Sequence, residues 1–188
     1  IKTYGNLVLP EGTSDNARNK KIWAKYGPEA EKLAKEILEA RPKDRMAALM
    51  YAEAFMFHSS SFGILKAFFS GAAGTFEANG DRLIKGHKLA DDAVGYIYKG
   101  SLFLVAPWPV HDDKKAKENF ELAVKTAPKS VRNHYYLGVW AFRNKDWALA
   151  KKELQFAADN KCTNTTEREF CWKIKEAARS GLAKLKDK

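Results

Sequence analysis

A pattern of small and large residues recurs about 34 residues apart in the middle of the chain, and this repeat most constrains the fold. Glycine and alanine suit the points where two helices cross closely, and a large apolar residue fills the space beside each crossing. The repeat predicts successive pairs of packed helices. It also explains by packing most of the aromatic residues in "NHYYLGVWAFRNKDWALAKKELQFAAD", along with His134. The positions are Tyr96, Gly100, Phe103, Ala116, Phe120, Ala123 and Pro128 in one copy, and Leu137, Gly138, Ala141, Ala150, Leu154 and Ala157 in the next.

The segments on either side continue the helical pattern. Residues 28–44 have apolar residues at helical spacing and are typical of the second helix of a unit, and residues 45–57 would begin the next unit. Residues 168–185 form one amphipathic stripe with a lysine-rich outer side, which suits a helix that caps a stack. We therefore predict an all-α fold, a short α-solenoid of helix-turn-helix repeats. Its parts are an extended N-terminal segment over 1–27, a helical domain over 28–188, an irregular insertion over about 58–92, and a capping helix over about 166–186.

These positions resemble the tetratricopeptide-repeat (TPR) superfamily over roughly residues 28–160. More narrowly, "GSLFLVAPWPVHDDKKAKENFELAVKTAP" followed by "HYYLG" is similar to divergent secreted repeat proteins of bacteria. These include the T component associated with periplasmic TRAP transporters and relatives with a similar Pro-Trp-Pro turn. The resemblance implies an all-helical extracytoplasmic protein that binds a partner and catalyses nothing.

Composition favours a folded domain with a basic, solvated surface. The 188 residues are 45% apolar and 12% aromatic, and the net charge of +10 comes from lysines dispersed among carboxylates. The sequence has no reader motif or arginine-rich tract, which argues against nucleic acid and favours an anionic protein or membrane surface. No uninterrupted apolar stretch of about 20 residues is present. Because the chain begins at Ile1, we expect a processed form or a fragment, located in the periplasm, outside the cell or in an organelle lumen.

An aromatic segment, "AFMFHSSSFGILKAFFSGAAGTF" (54–76), carries six phenylalanines and three glycines within the irregular region. One interpretation is an extra pair of helices, or a long first helix, buried in the stack. The other is a hydrophobic docking face or groove, because a surplus of apolar surface on a soluble chain marks a contact site. In that case Phe62, Ile64, Phe68 and Phe69 would form its exposed side.

First helices line the inner surface of such a stack, so aromatic residues and an arginine should share one groove. The residues assigned to this groove are Tyr135, Val139, Phe142 and Arg143, together with Ile97, Leu104 and Met56. The alternative is that half of them contact a neighbouring helix as ordinary packing residues. Nearby, the turn "APWPVHDD" holds Trp108 between two prolines, which either presents its ring rigidly to a partner or lets it plug a gap between helix pairs.

Two cysteines, Cys162 and Cys171, bracket a corner between helices. They could form a disulfide or remain two reduced core thiols, and no histidine or further cysteine lies near enough in sequence to suggest zinc. Asn164 begins an acceptor sequon for glycosylation, although such triplets also arise by chance.

No catalytic or metal-binding pattern is apparent. The four histidines are scattered, the usual nucleophile, zinc and phosphate motifs are missing, and one aspartate of "HDD" (111–113) is expected to cap the next helix. We therefore expect a non-catalytic protein-interaction module, a scaffold or accessory subunit whose protein partner could be membrane-associated, with no cofactor. The alternative is an accessory protein that holds a small apolar ligand. An open, flat groove would favour a protein partner, and a closed cavity among the phenylalanines of 54–76 would favour the ligand.

Overall fold

The computed structural model describes residues 17–63, 66 and 70–186, and within these residues the chain is entirely helical, with no strand. The all-α prediction is confirmed. Most helices are 12 to 17 residues long, and the first and last are longer. The helices are α1 (Ala17–Ala40), α2 (Arg45–Ser61), α3 (Ala72–His87), α4 (Val94–Val105), α5 (Asp113–Thr126), α6 (Val131–Arg143), α7 (Trp147–Asp159) and α8 (Thr165–Leu185).

Each helix packs against the next one along the chain. Two further contacts join α4 to α6 and α6 to α8, so that α4, α6 and α8 are neighbours in space as well. The main core extends from the end of α1 to α7, and a second cluster fills the space between α1 and α2. No helix in the described ranges is long and apolar enough to cross a bilayer.

Short polar side chains begin four of the helices. Asp44 accepts from the Met46 amide at 2.7 Å at the start of α2, and Asp112 accepts from the Lys115 amide at 2.9 Å at the start of α5. Ser130 and Asp146 cap α6 and α7 in the same way. Each cap satisfies an amide that the first helical turn would leave unpaired. The interpretation of an aspartate in 111–113 as a helix cap is confirmed.

The repeated small residues lie at equivalent helix crossings. A Cβ added to Gly100 in α4 would lie 2.5 Å from Phe120 in α5, and one added to Gly138 in α6 would lie 2.8 Å from Leu154 in α7. Phe120 is fully buried, as are the repeated alanines of α5 and α7. The packing explanation of the repeat is therefore confirmed, because glycine permits the close approach and the large residue of the paired helix fills it.

The N-terminal helix begins earlier than the sequence pattern indicated. Residues 17–27 were assigned to an extended segment, but they belong to α1, with Pro28 inside the helix. Trp23 is only 2% exposed, and its ring lies 5.3 Å from that of Phe57 in α2. Burial of this large side chain stabilises the extra turns.

A disulfide joins the last loop to the last helix. Cys162 and Cys171 are bonded, with their Cα atoms 5.9 Å apart. Cys162 belongs to a buried cluster in which Ala178 of α8 packs near Leu154 and Ala157 of α7. The bridge therefore ties the start of α8 to the loop that follows α7.

Candidate ligand cavity

A cavity of about 860 Å³ lies between α2, α4, α6 and α8, with the start of α3 on one side. Its volume is within the range of sites that enclose small organic ligands. Residues of α1, α2, α3, α4, α6 and α8 line it, whereas no residue of α5 or α7 does. Most of the wall is apolar, and it includes Met56, Phe57, Phe76, Ile97, Leu102 and Phe170.

One part of the wall is polar and is organised around Arg132 of α6. Its Nη1 donates to Asp91 Oδ2 at 2.5 Å, and its Nη2 donates to the Asp91 backbone carbonyl, also at 2.5 Å. The Asp91 side chain is only 3% exposed. Burial would lower the pKa of Arg132, but the charge and hydrogen bond of Asp91 hold that pKa above its ordinary value. The guanidinium therefore stays charged; each terminal nitrogen bonds to Asp91, and the buried Nε has no hydrogen-bond partner among the described residues.

The turn that carries Asp91 has an unusual backbone. Asp91, Asp92 and Ala93 all have positive φ, at 42°, 50° and 64°, in the left-handed region that non-glycine residues seldom occupy. Side chains from elsewhere hold this turn in place. Asn133 Nδ2 donates to the Asp92 carbonyl at 2.8 Å, and Asn164 Nδ2 donates to Asp91 Oδ1 at 2.8 Å. The turn is thus fixed by α6 and by the loop before α8.

Glu53 of α2 lines the cavity near this pair and is not neutralised by a partner of its own. No hydrogen bond or ion pair joins its carboxyl to another residue of the described chain. Burial raises the pKa of Glu53 to about 8; the negative charge of Asp91 adds to this effect, and Arg132 opposes it. The carboxyl is therefore mostly protonated at neutral pH and offers both a donor and an acceptor to the cavity.

Two tyrosines complete the polar part of the wall. Burial raises the pKa of Tyr98, and the nearby carboxyl groups of Glu53 and Asp91 raise it further. Burial also raises the pKa of Tyr136, whereas Arg132 opposes the shift. Both phenols therefore stay protonated and are available as hydrogen-bond donors or acceptors.

A further acidic group, Glu167, connects α8 to α6. Ser130 Oγ donates to Glu167 Oε1, which also accepts from the Arg132 amide at 3.3 Å. The second oxygen, Glu167 Oε2, is buried and has no hydrogen-bond partner within the described residues. The same serine that caps α6 thus anchors the first turn of α8, which closes one side of the cavity.

Some residues of the expected groove reach the cavity and others do not. Tyr135, Met56 and Ile97 line it, as the sequence pattern predicted. Leu104 is buried in the main core, and Val139 packs against that core. Neither lines the cavity, because each faces a neighbouring helix.

Phe142 and Arg143, at the end of α6, also lie away from the cavity. The Phe142 ring packs 5.6 Å from that of Trp147, and Arg143 is exposed. Trp108 is 86% exposed, so it does not plug a gap between helix pairs. The turn that carries it contributes Ala106 and Pro107 to the cavity.

The aromatic segment is described in part. Phe62 is half-buried and packs against the small cluster of Phe55 and Ala72. Phe57 and Phe76 line the cavity. Ile64, Phe68 and Phe69 lie outside the described residues.

The histidine of the repeat is a packed residue. His134 Nδ1 lies 2.5 Å from Glu153 Oε2, its Nε2 lies 3.0 Å from the Pro128 carbonyl, and its ring stacks on Phe156. Burial would raise the pKa of Glu153, but the hydrogen bond and charge of His134, together with Lys152, hold it below its ordinary value. Both partners are committed to each other, away from the cavity.

The sequence interpretation missed Glu53, Asp91 and Arg132. Glu53 did leave a signal, because it is the only charged residue between Met46 and Phe57 in an otherwise apolar stretch. Asp91 left none, since its role depends on a left-handed turn that contains no glycine.

No family model matches the chain, and no match is found among curated proteins.

Proposed function

We propose that this protein is a non-catalytic helical-repeat protein of TPR type that holds a small ligand with an apolar body in the cavity. The observation that carries the proposal is the cavity of about 860 Å³, which has mostly apolar walls and one polar end. Pockets of this size and character are where proteins bury small ligands and orient them through a few polar groups. Of the two functions expected from the sequence, the ligand-holding one thus has the stronger support.

The repeat type is supported by two equivalent helix crossings. Gly100 meets Phe120 where α4 crosses α5, and Gly138 meets Leu154 where α6 crosses α7. In a TPR array the first helix of each pair lines the inner surface. Here α2, α4 and α6 line the cavity and α5 and α7 do not, while Trp23 of α1 and the start of α3 also reach it. The disulfide suits an oxidising compartment such as the periplasm, the exterior of the cell or an organelle lumen.

A protein partner remains the second candidate function, and a different surface supports it. The Trp108 ring is almost fully exposed on a turn restrained by two prolines. Rigid exposed tryptophans contribute strongly to protein interfaces. An accessory subunit would then present Trp108 to its partner while the cavity holds the ligand.

Native mass spectrometry tests the ligand-binding proposal. The purified protein should carry a non-covalent adduct, or should take up octan-1-ol with a stoichiometry of about one after extraction with organic solvent. Ser101 of α4 lines the cavity, so Ser101→Trp should fill it and abolish uptake. Ala148→Trp is the matched control, because Ala148 is exposed on α7, which does not line the cavity.

Circular dichroism would show that both variants keep the helical fold. If the unmodified protein neither retains nor takes up any ligand, the proposal is refuted. Equal uptake by the folded Ser101→Trp variant would also refute the cavity as the site.

A further inference from the structure

We propose, resting on the proposed function, that the cavity selects ligands whose polar head is a protonated amine, with Glu53 as the counter-ion. The first argument is which polar groups are still available. Both terminal nitrogens of Arg132 already bond to Asp91, so the charge of this guanidinium is paired, and its buried Nε has no hydrogen-bond partner among the described residues. The Glu53 carboxyl, by contrast, lines the same region and has no partner among the described residues.

The charge balance of the wall points the same way. Four carboxyl groups line the cavity, and only two cationic side chains do so. Arg132 is paired with Asp91, and Lys173 of α8 is the other cation. The acids are Glu53, Asp91, Glu167 and Glu176. A cation placed among these groups is therefore favoured over an anion.

Aromatic rings supply a second recognition element. Tyr98, Tyr135 and Tyr136 line the cavity from α4 and α6, and phenylalanine and tryptophan rings line other parts of it. Ring faces attract alkylammonium groups, and phenolic oxygens accept hydrogen bonds from them. No three histidine, cysteine, aspartate or glutamate side chains converge as metal ligands in the described part of the chain. The wall thus suits an organic cation with an apolar body.

The protein as a whole carries a net charge of +10, which would repel a cation at long range. At about 0.15 M salt this field is screened within about 8 Å, and the lysines are dispersed over the surface. The groups inside the cavity therefore decide which head is bound, and the surface charge lowers mainly the rate of association.

Protonation of Glu53 gives the proposal a measurable consequence. The pKa of Glu53 is about 8 in the empty cavity, because of burial and the charge of Asp91. When an alkylammonium head binds beside it, the carboxyl gives up its proton to solvent and remains as the carboxylate of the ion pair. The other ionisable groups that line the cavity are Asp91, Tyr98, Arg132, Tyr135, Tyr136, Glu167, Lys173 and Glu176. Binding near pH 7 should thus release close to one proton. The affinity for the amine should therefore increase as the pH is raised toward about 8, by up to about tenfold for each pH unit.

The experiment compares three probes that share one chain and differ only in the head: octylamine, octan-1-ol and octanoate. Isothermal titration calorimetry near pH 7, in two buffers of different ionisation enthalpy, would give each affinity and the protons released. Octylamine should bind at least about tenfold more tightly than octan-1-ol, and octanoate more weakly than either. Only octylamine should release a proton.

Glu53→Gln is the informative variant, because a neutral amide replaces a carboxyl that is mostly neutral in the empty cavity. It should reduce the ratio of octylamine to octan-1-ol affinity to within about threefold and abolish proton release. Glu118→Gln is the control, since Glu118 is an exposed acid on α5, which does not line the cavity, and this variant should keep the ratio. Thermal melting monitored by circular dichroism would show that both variants are folded.

The outcomes separate the two proposals. If octan-1-ol binds but octylamine binds no more tightly, or if octanoate binds best, the amine preference is overturned and the ligand cavity stands. An unchanged ratio in folded Glu53→Gln would also overturn it. If none of the three probes binds, the proposed function fails, and the amine preference fails with it.

Discussion

Replacement of Ala150 by leucine should destabilise the protein, and Ala148→Leu two residues earlier should not. Ala150 in α7 is 0% exposed and belongs to the main core, whereas Ala148 in the same helix is exposed. Leucine adds three carbon atoms to a position where the helices cross without spare volume. Overpacking of this kind costs about 1–3 kcal/mol. Helix propensity contributes little to the comparison, because alanine and leucine are both strong helix formers.

Thermal and urea denaturation of the oxidised protein would measure the difference. For a chain of this size, each 1 kcal/mol corresponds to about 2–4 °C in melting temperature, so Ala150→Leu should melt about 2–12 °C below the unmodified protein. Ala148→Leu should stay within about 0.5 kcal/mol of it. A loss below about 0.5 kcal/mol for Ala150→Leu would refute the assigned helix crossing, and an equal loss for both variants would point to a cause other than packing.

Three further predictions concern single contacts. The bridge between Cys162 and Cys171 should block alkylation of the unfolded, unreduced chain. Its removal by a double alanine substitution should lower the free energy of unfolding by about 2–3 kcal/mol, as expected for a short loop, and urea denaturation would measure this. The pKa of Glu153 is lowered in the folded state, so the ionised carboxylate stabilises the folded protein. This contribution to the free energy of unfolding is complete above the ordinary pKa of about 4.5 and is lost as the pH falls through the lowered pKa. Urea denaturation across about pH 3–5 should therefore show a shallower acid loss for Glu153→Gln, and identical profiles would contradict this. Gly100→Ala should lower the melting temperature, because the added Cβ would meet the buried ring of Phe120. Gly86→Ala should keep or raise it, since an added Cβ there has no atom within 4 Å. The opposite order would count against the crossing of α4 with α5.

Local spacing was enough to predict the helix pairs of residues 96–157 and their crossings. Ala116, Phe120 and Ala123 repeat within one helix, so a pattern in sequence translates directly into one buried face. The start of α1 was not predicted, because its extra turns are stabilised by a contact between Trp23 and Phe57 that the local pattern of α1 does not encode.

The polar end of the cavity was not predictable from local spacing. The ion pair of Asp91 with Arg132 joins residues 41 positions apart, and it requires a left-handed turn whose sequence lacks the glycine that usually signals one. Glu53 was detectable only as an isolated charge in an apolar helix. Its partnerless position near Asp91 follows from the packing of three helices, which composition and periodicity do not specify.

The contact of Asn164 with Asp91 has a practical consequence for the choice of expression host. Asn164 begins the acceptor sequon, and the side-chain nitrogen that would carry a glycan is the one that donates to Asp91 Oδ1 at 2.8 Å. A sugar attached during synthesis would replace one of the two hydrogens on this nitrogen, crowd the left-handed turn and obstruct the loop before α8. Production in cells that do not attach N-linked glycans, or with the sequon removed at Thr166, would avoid this heterogeneity.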